Sequence, residues 1–107
     1  MEQFRLVLEG AQTIRTIDAA CSDLVDAMAH HHDIVIDCSA ATEVDVSLVQ
    51  LLLAARASAL RAGQQLALSQ PVGEALRSTL VRGGFLSDDP SRPGRDTAFW
   101  LGHEGCP

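Results

Sequence analysis

A run of β-branched residues at positions 34–36, Ile-Val-Ile, has the pattern of a strand buried on both faces. Asp37 ends the run, and a second carboxylate, Asp45, follows after a short acidic stretch. The residues from Ser47 to Gln50 then have the Ser-x-x-Gln spacing of a capping box, in which both side chains satisfy free amides at a helix start. The pattern predicts a central strand, a short acidic turn and a helix capped by Ser47.

The upstream part of the chain predicts one strand pair and one helix. Apolar and polar residues alternate over 4–8, which is typical of a strand with one covered face, and 13–15 is predicted as a short return strand paired with it. Thr16 is the expected cap of the helix that follows. Apolar residues recur at helical spacing on this helix, and the predicted core stripe consists of Ile17, Ala20, Cys21, Leu24, Val25 and Met28.

The downstream part predicts a helix, a strand and another helix. The helix that begins at Ser47 should end near Ala62, with Gly63 as its left-handed stop. A strand at 65–69 follows, and Pro71 is the expected first residue of a third helix. Strand, helix and strand in this order form a parallel, right-handed unit. The fold class predicted is α/β, a single domain with a mixed, mostly parallel sheet and three to four helices.

The last twenty residues differ in composition from the rest. Residues 88–96 belong to a polar, turn-rich stretch that is typical of a linker, which divides the chain into a domain at 1–87 and a tail at 88–107. The tail holds the only tryptophan, in the segment 97–101. Either Phe99 and Trp100 dock back on the domain, or they are exposed and indicate a partner or a homodimer.

Composition and charge argue against several classes of function and partner. The chain has 107 residues and a net charge of −6, and its 8 basic residues, all arginine, are scattered, which argues against a nucleic-acid partner. No apolar run is long enough for membrane insertion, and the first ten residues do not resemble a signal peptide. The 3 cysteines lack metal or redox spacing. We therefore expect a cytoplasmic protein with reduced thiols.

The candidate chemistry is sparse. Three consecutive histidines, His30 to His32, point about 100° apart on a helix and cannot converge on one metal ion. Glu43 and Asp45 oppose nucleotide binding at the next helix start, because they repel phosphate. We interpret Asp37 and Asp45 as hydrogen-bonding supports of the backbone rather than a catalytic pair. We expect no enzyme activity, no metal and no cofactor.

One face of the helix that begins at Ser47 is unusual. The predicted core stripe comprises Leu48, Val49, Leu52, Ala55, Ala59 and Leu60. The opposite side carries Ser47, Gln50, Ala54, Ala57, Ser58 and Arg61. A solvent-facing helix surface is normally dense in charge. This small-residue surface predicts protein docking, although alanines that serve only helix propensity remain an alternative.

The central segment resembles a known family signature. The sequence IDCSAATEVDVSLVQLLLAAR is similar to the signature of the STAS domain, in which a strand ends in Asp and a short loop leads to Asp-Ser-Ser-Gly-Leu at a helix start. The resemblance extends from Phe4 to Leu86 and includes the later segment SQPVGEALRSTLVRGGF. It implies a STAS-like fold and a non-enzymatic, regulatory protein-binding function, as in anti-sigma factor antagonists or short chemotaxis-linked STAS proteins.

The resemblance also implies a binding site and a set of partners. The expected partner-binding residues are Asp45, Val46, Ser47, Gln50, Leu51 and Ala54. Val46 stands where antagonists carry their phosphorylatable serine, and Leu48 replaces their glycine, so Ser47 is the remaining candidate for phosphorylation. The partner would be an anti-sigma kinase or a chemotaxis component. The alternative is that the chain is an accessory subunit that binds the ATPase of an ABC-type lipid transporter.

Overall fold

The computed structural model describes residues 3–85 and 97–100, and its centre is a three-stranded sheet. β3 (Asp33–Asp37) lies between β1 (Phe4–Val7) and β5 (Gln65–Leu68), and both pairs are parallel. Residues 34–37 of β3 are all buried. The prediction of a central strand buried on both faces is confirmed.

A second, two-stranded sheet was not predicted. β2 (Gly10–Gln12) pairs in parallel with β4 (Ala41–Val44), so the stretch that was predicted to be an acidic turn is a strand. The predicted return strand at 13–15 is also wrong. Those residues form a turn that the Thr16 hydroxyl stabilises, because this group accepts the amide of Thr13 (3.0 Å) and donates to the carbonyl of Ala11 (2.9 Å).

The fold class is confirmed. The described residues form one small α/β domain in which every strand pair is parallel, together with three helices of nine or more residues and one of four. The order of β3, α2 (Val46–Ala62) and β5 gives the expected parallel crossover unit. Gly63 ends α2 with a φ of 71°, as predicted for a left-handed stop.

The helix faces are close to the predicted ones, with two corrections. α1 (Ile17–His30) buries Ala20, Leu24 and Ala27, and it leaves Val25 62% exposed, so Val25 does not belong to the core stripe. The reason is that α1 packs against both β1 and α2, which turns the Ala20–Ala27 line inward. On α2 the stripe is confirmed except at Leu60, which is 65% exposed in the last turn.

The third helix begins later than predicted. α3 runs from Glu74 to Arg82, and Pro71 lies in the loop before it. Gly73 has a φ of 94°, and its backbone lies against the loop after β3. A Cβ at this position would be 2.9 Å from the Cys38 carbonyl oxygen. This conformation is not helical and favours glycine. Packing against that loop therefore delays the helix start.

Two aromatic residues of the last part of the chain are in the core. α4 (Thr97–Trp100) packs against β5, and Phe99 and Trp100 are 0% and 1% exposed. The Gln70 side-chain amide donates to the Trp100 carbonyl (3.1 Å), and the Arg56 guanidinium lies 5.5 Å from the centre of the Phe99 ring. The alternative in which Phe99 and Trp100 are exposed is therefore wrong. The linker predicted at 88–96 lies outside the described residues, and the domain division remains a prediction.

The packing of Trp100 predicts a large effect on stability. Trp100→Ala should reduce the free energy of unfolding by about 3–5 kcal/mol, because it removes a large, fully buried side chain. Leu60→Ala, at an exposed position of α2, should change it by about 0.5 kcal/mol or less. Urea unfolding followed by circular dichroism measures both. Equal, small effects of the two substitutions would contradict the docking of α4.

Candidate partner-binding site

Asp45 connects the start of α2 to the loop before α1. Its carboxylate accepts the amide of Ser47 (2.9 Å) and, across the chain, the amide of Ile14 (2.9 Å). The Asp45 amide in turn donates to the carbonyl of Gln12 at the end of β2 (3.3 Å). The hydrogen bonds that the carboxylate accepts hold the pKa of the Asp45 carboxyl below its ordinary value, and the bond from the Ile14 amide contributes most. The interpretation of Asp45 as a support for backbone amides is confirmed.

The predicted capping box at Ser47 is wrong. The helix begins at Val46 and its cap is Asp45, whose extended backbone (φ −120°, ψ −177°) is the usual conformation of a capping residue. Ser47 lies inside the first turn, where its amide is a donor to the cap. The Ser47-x-x-Gln50 spacing matches a capping box and predicted a cap at Ser47. The residue that caps the helix is Asp45, which is followed by Leu48 at the corresponding position and does not match that pattern.

Asp37 has a separate structural role at the end of β3. Ser39 donates to one of its oxygens through the hydroxyl (2.6 Å) and the amide (2.9 Å), and Arg5 forms an ion pair with the other. Arg5 also donates to the Ser69 hydroxyl (3.1 Å), so this group links β1 to the C-terminal ends of β3 and β5. The Ser39 bonds, more than Arg5, lower the pKa of Asp37 to about 2. Asp37 and Asp45 are therefore held by different hydrogen-bond partners.

Exposed apolar side chains lie on both sides of the Asp45 cap. Val46 is 47% exposed and lines a hollow of about 330 Å³ with Arg82 and Phe85. Ile14 is 69% exposed and lines a second hollow of about 430 Å³. Asp45 borders both hollows. The sequence identified Asp45 and Val46 but not Ile14 or Phe85, because only folding brings these two to the helix start.

The other predicted site residues lie farther along α2. Leu51 and Ala54 line a narrow apolar groove of about 180 Å³ between α1 and α2, with Val25 on its far side. Gln50 and Ala54 are exposed, as are Ala57 and Arg61. At the helical rise, Ala54 is about 12 Å from Val46. Asp45 and Val46 thus border hollows at the helix start, whereas Leu51 and Ala54 border the groove between α1 and α2.

The described residues offer little for catalysis. None of them forms a group of three or more His, Cys, Asp or Glu side chains that could hold a metal ion. His30 is engaged with the Asp26 carbonyl (2.8 Å), and His31 stacks on Phe4 with ring centres 4.0 Å apart. Burial raises the pKa of the Cys38 thiol to about 12, which makes it a poor nucleophile.

Comparison with protein families agrees with the fold. The family model described as "Mlab, STAS domain" matches residues 1–85. The chain belongs to the STAS domain family. The comparisons with curated proteins and with solved structures found no match. STAS domains are found in anti-sigma factor antagonists and in related regulatory or transporter-associated modules.

Two general properties of STAS domains bear on the site. They mediate protein–protein interactions, and they are generally non-enzymatic. In the part of the chain that the structure describes, no helix is both long and apolar enough to cross a membrane. The six predicted partner-binding residues remain a prediction at the level of individual side chains.

The lowered pKa values predict a pH dependence of stability. The pKa of Asp37 is about 2 in the fold and 3.8 ordinarily, so its bonds stabilise the fold fully above about pH 4. That contribution is lost as the pH falls from about 4 to about 2. Urea unfolding across this range measures the free energy of unfolding at each pH. Asp37→Asn should make that free energy depend less steeply on pH, and adding Asp45→Asn should reduce the dependence further. A curve for Asp37→Asn that runs parallel to the parent curve would contradict this assignment.

Proposed function

We propose that this STAS domain is a non-enzymatic regulatory module that binds a partner protein through the start and outer face of α2. The observation that carries the proposal is the pair of exposed apolar side chains, Ile14 and Val46, beside a cap that is already hydrogen bonded. Burying an unpaired carboxylate in an interface is costly, whereas one that accepts two backbone amides is partly compensated. Asp45 therefore allows a partner to cover this surface.

The outer face of α2 extends the same surface. Gln50, Ala54 and Ala57 are exposed and uncharged, and the two alanines are short, so a partner could approach the helix closely at those two positions. Leu51 adds apolar area at the groove with α1. Interface centres are poor in charge and interface rims are polar, which is the distribution on this helix, where Arg61 lies at the far end. These features support a docking surface that runs from Val46 to Ala57.

The first candidate partner is an anti-sigma kinase or a chemotaxis component. This class follows from the family, which includes anti-sigma factor antagonists. In the antagonist scheme, phosphate on the helix-start serine adds two negative charges to the interface and releases the partner. Here Val46 occupies that position, so docking would not be switched in the usual way. Both this partner class and the next belong to the cytoplasm, where we place the protein.

The second candidate is the ATPase subunit of an ABC-type lipid transporter, with this chain as its accessory subunit. Val46 favours this candidate, because a permanently bound accessory subunit needs no phosphate acceptor at the helix start. The Val46 side chain is 47% exposed, so its apolar surface is accessible to a permanently bound partner. The identity of the captured partner distinguishes the two candidates.

The experiment is capture of the partner from a lysate of the native host, followed by a binding isotherm with the purified partner. Ala54→Glu and Val46→Glu should each reduce affinity at least about tenfold, because a buried, unpaired carboxylate costs more than about 1.4 kcal/mol. Both should remain folded by circular dichroism, since the two positions are exposed and Glu is favourable in helices and at their first turn.

The matched control is Ser22→Glu, at an exposed position of α1 beside Asp23 and Asp26. It adds the same charge to a surface that is already acidic, and it should leave affinity unchanged. If Ala54→Glu and Val46→Glu also bind like the parent, the docking surface is elsewhere. If only Val46→Glu weakens binding, the contact is confined to the helix start.

The departure at Val46 predicts the phosphorylation state. Ser47 lies inside the first turn of α2, is half-buried and donates its amide to the Asp45 carboxylate, which a phosphate would repel. We expect Ser47 to be unmodified in protein isolated from its host, as measured by intact-mass spectrometry and peptide mapping. Stoichiometric phosphate on Ser47 would show that the switch has moved by one residue.

A further inference from the structure

We propose that the outer edge of β1 is a second docking site, which takes an extended, basic segment of a partner protein by strand addition. The site uses none of the residues of the α2 surface, and it does not depend on the function proposed above. It is formed by the free edge of β1 and by the hollow between β1 and α1.

The register of the sheet shows which backbone groups of β1 are free. The Leu8 amide donates to the Asp37 carbonyl (2.9 Å), and Leu6 lies opposite Ile36. In a parallel pair, alternate residues of a strand bond to a given neighbour. The amides and carbonyls of Arg5 and Val7 therefore point away from β3, and no described strand pairs with them.

The two edges of the sheet differ. At β5, α4 is in contact with the strand, and the Gln70 side-chain amide lies 3.4 Å from the Leu68 carbonyl at the strand's end. At β1, the described residues provide no such cover, although proteins usually protect exposed strand edges. The β1 edge is therefore the one at which an added strand can complete the hydrogen-bonding pattern.

The hollow beside this edge has a distinct chemical character. It has a volume of about 440 Å³, and Phe4, Leu6 and Ala27 supply its apolar surface. Asp23 and Asp26 lie at its rim, with His30 and His31 at one end, and one oxygen of the Asp26 carboxylate is 3.4 Å from the Nδ1 atom of His30. On a strand added to β1, every second side chain would point into this hollow. Arginine or lysine fits there, because its stem covers the apolar surface and its charge meets the two carboxylates.

Charge distinguishes a basic partner from a second copy of this chain. Two β1 strands paired edge to edge would place Phe4 and Leu6 of the second copy in the hollow, and neither of these side chains brings a positive charge to Asp23 and Asp26. They would also bring two acidic rims together, in a chain whose net charge is already −6. Like charges in such proximity oppose association. The preferred segment therefore alternates basic and apolar residues.

The test uses two end-blocked ten-residue peptides, one alternating valine and arginine and the other alternating valine and glutamate. Binding is followed by NMR hydrogen exchange of the full chain at about physiological salt. The valine–arginine peptide should bind at least about tenfold tighter. At saturation it should slow exchange of the Arg5 and Val7 amides about tenfold, without a comparable effect on Leu6, which is already in the ladder.

Two substitutions separate the edge from the rim. Val7→Pro removes an amide that points away from β3, so it breaks no bond within the sheet. It should weaken binding of the valine–arginine peptide at least about tenfold. Val7→Ala, which keeps the amide, should not weaken binding. The double change Asp23→Asn with Asp26→Asn should weaken it as Val7→Pro does. Asp18→Asn, on the same helix but outside the hollow, should have no effect. If Val7→Pro does not fold, the double variant decides the result.

Several outcomes would overturn the proposal. One is that the Arg5 and Val7 amides are already protected in the free, dilute protein, which would mean that the edge is occupied. Another is protection that increases with protein concentration, which would identify a second copy as the occupant. Absence of valine–arginine binding, equal binding of both peptides, or binding that the edge and rim variants leave unchanged would also reject the site.

Discussion

Burial of β3 on both faces is the constraint on which the domain depends. A strand of β-branched residues that ends in a carboxylate needs a neighbour on each side and apolar cover, which β1, β5 and the helices provide. Because all three strands run in parallel, long crossover segments must connect them, and these segments are α1 and α2. The start of α2 is then held close to β2 and β4 at the end of the sheet.

The sequence predicted the long elements well because their signals are local. The β3 run, the α2 stripe and the Gly63 stop each depend on residues a few positions apart. It missed the β2–β4 pair because both strands are short and β4 exposes its two central residues, Thr42 and Glu43, so neither shows a buried run or strict alternation. Pairing between such strands is decided by the rest of the fold.

The candidate site was predicted less completely than the fold. Asp45 and Val46 could be found because they follow the central strand in a recognisable order. Ile14 and Phe85 could not, because they come from distant parts of the chain and meet this region only in three dimensions. The sequence predicted Ser47 as the cap instead of Asp45. The Asp45 carboxylate is also held by a hydrogen bond from the Ile14 amide, and no local sequence pattern indicates that bond.

The bond between Asp45 and Ile14 has a consequence for how this surface can diversify. Asp45 accepts amides from both the helix start and the loop before α1, so a substitution there would disturb both segments at once. The side chains of Ile14 and Val46 are largely free of the core, and only the backbone of Ile14 is engaged. On the proposed docking surface, these two side chains can therefore be exchanged for others with little cost to folding, whereas loss of the carboxylate between them would also loosen the helix start.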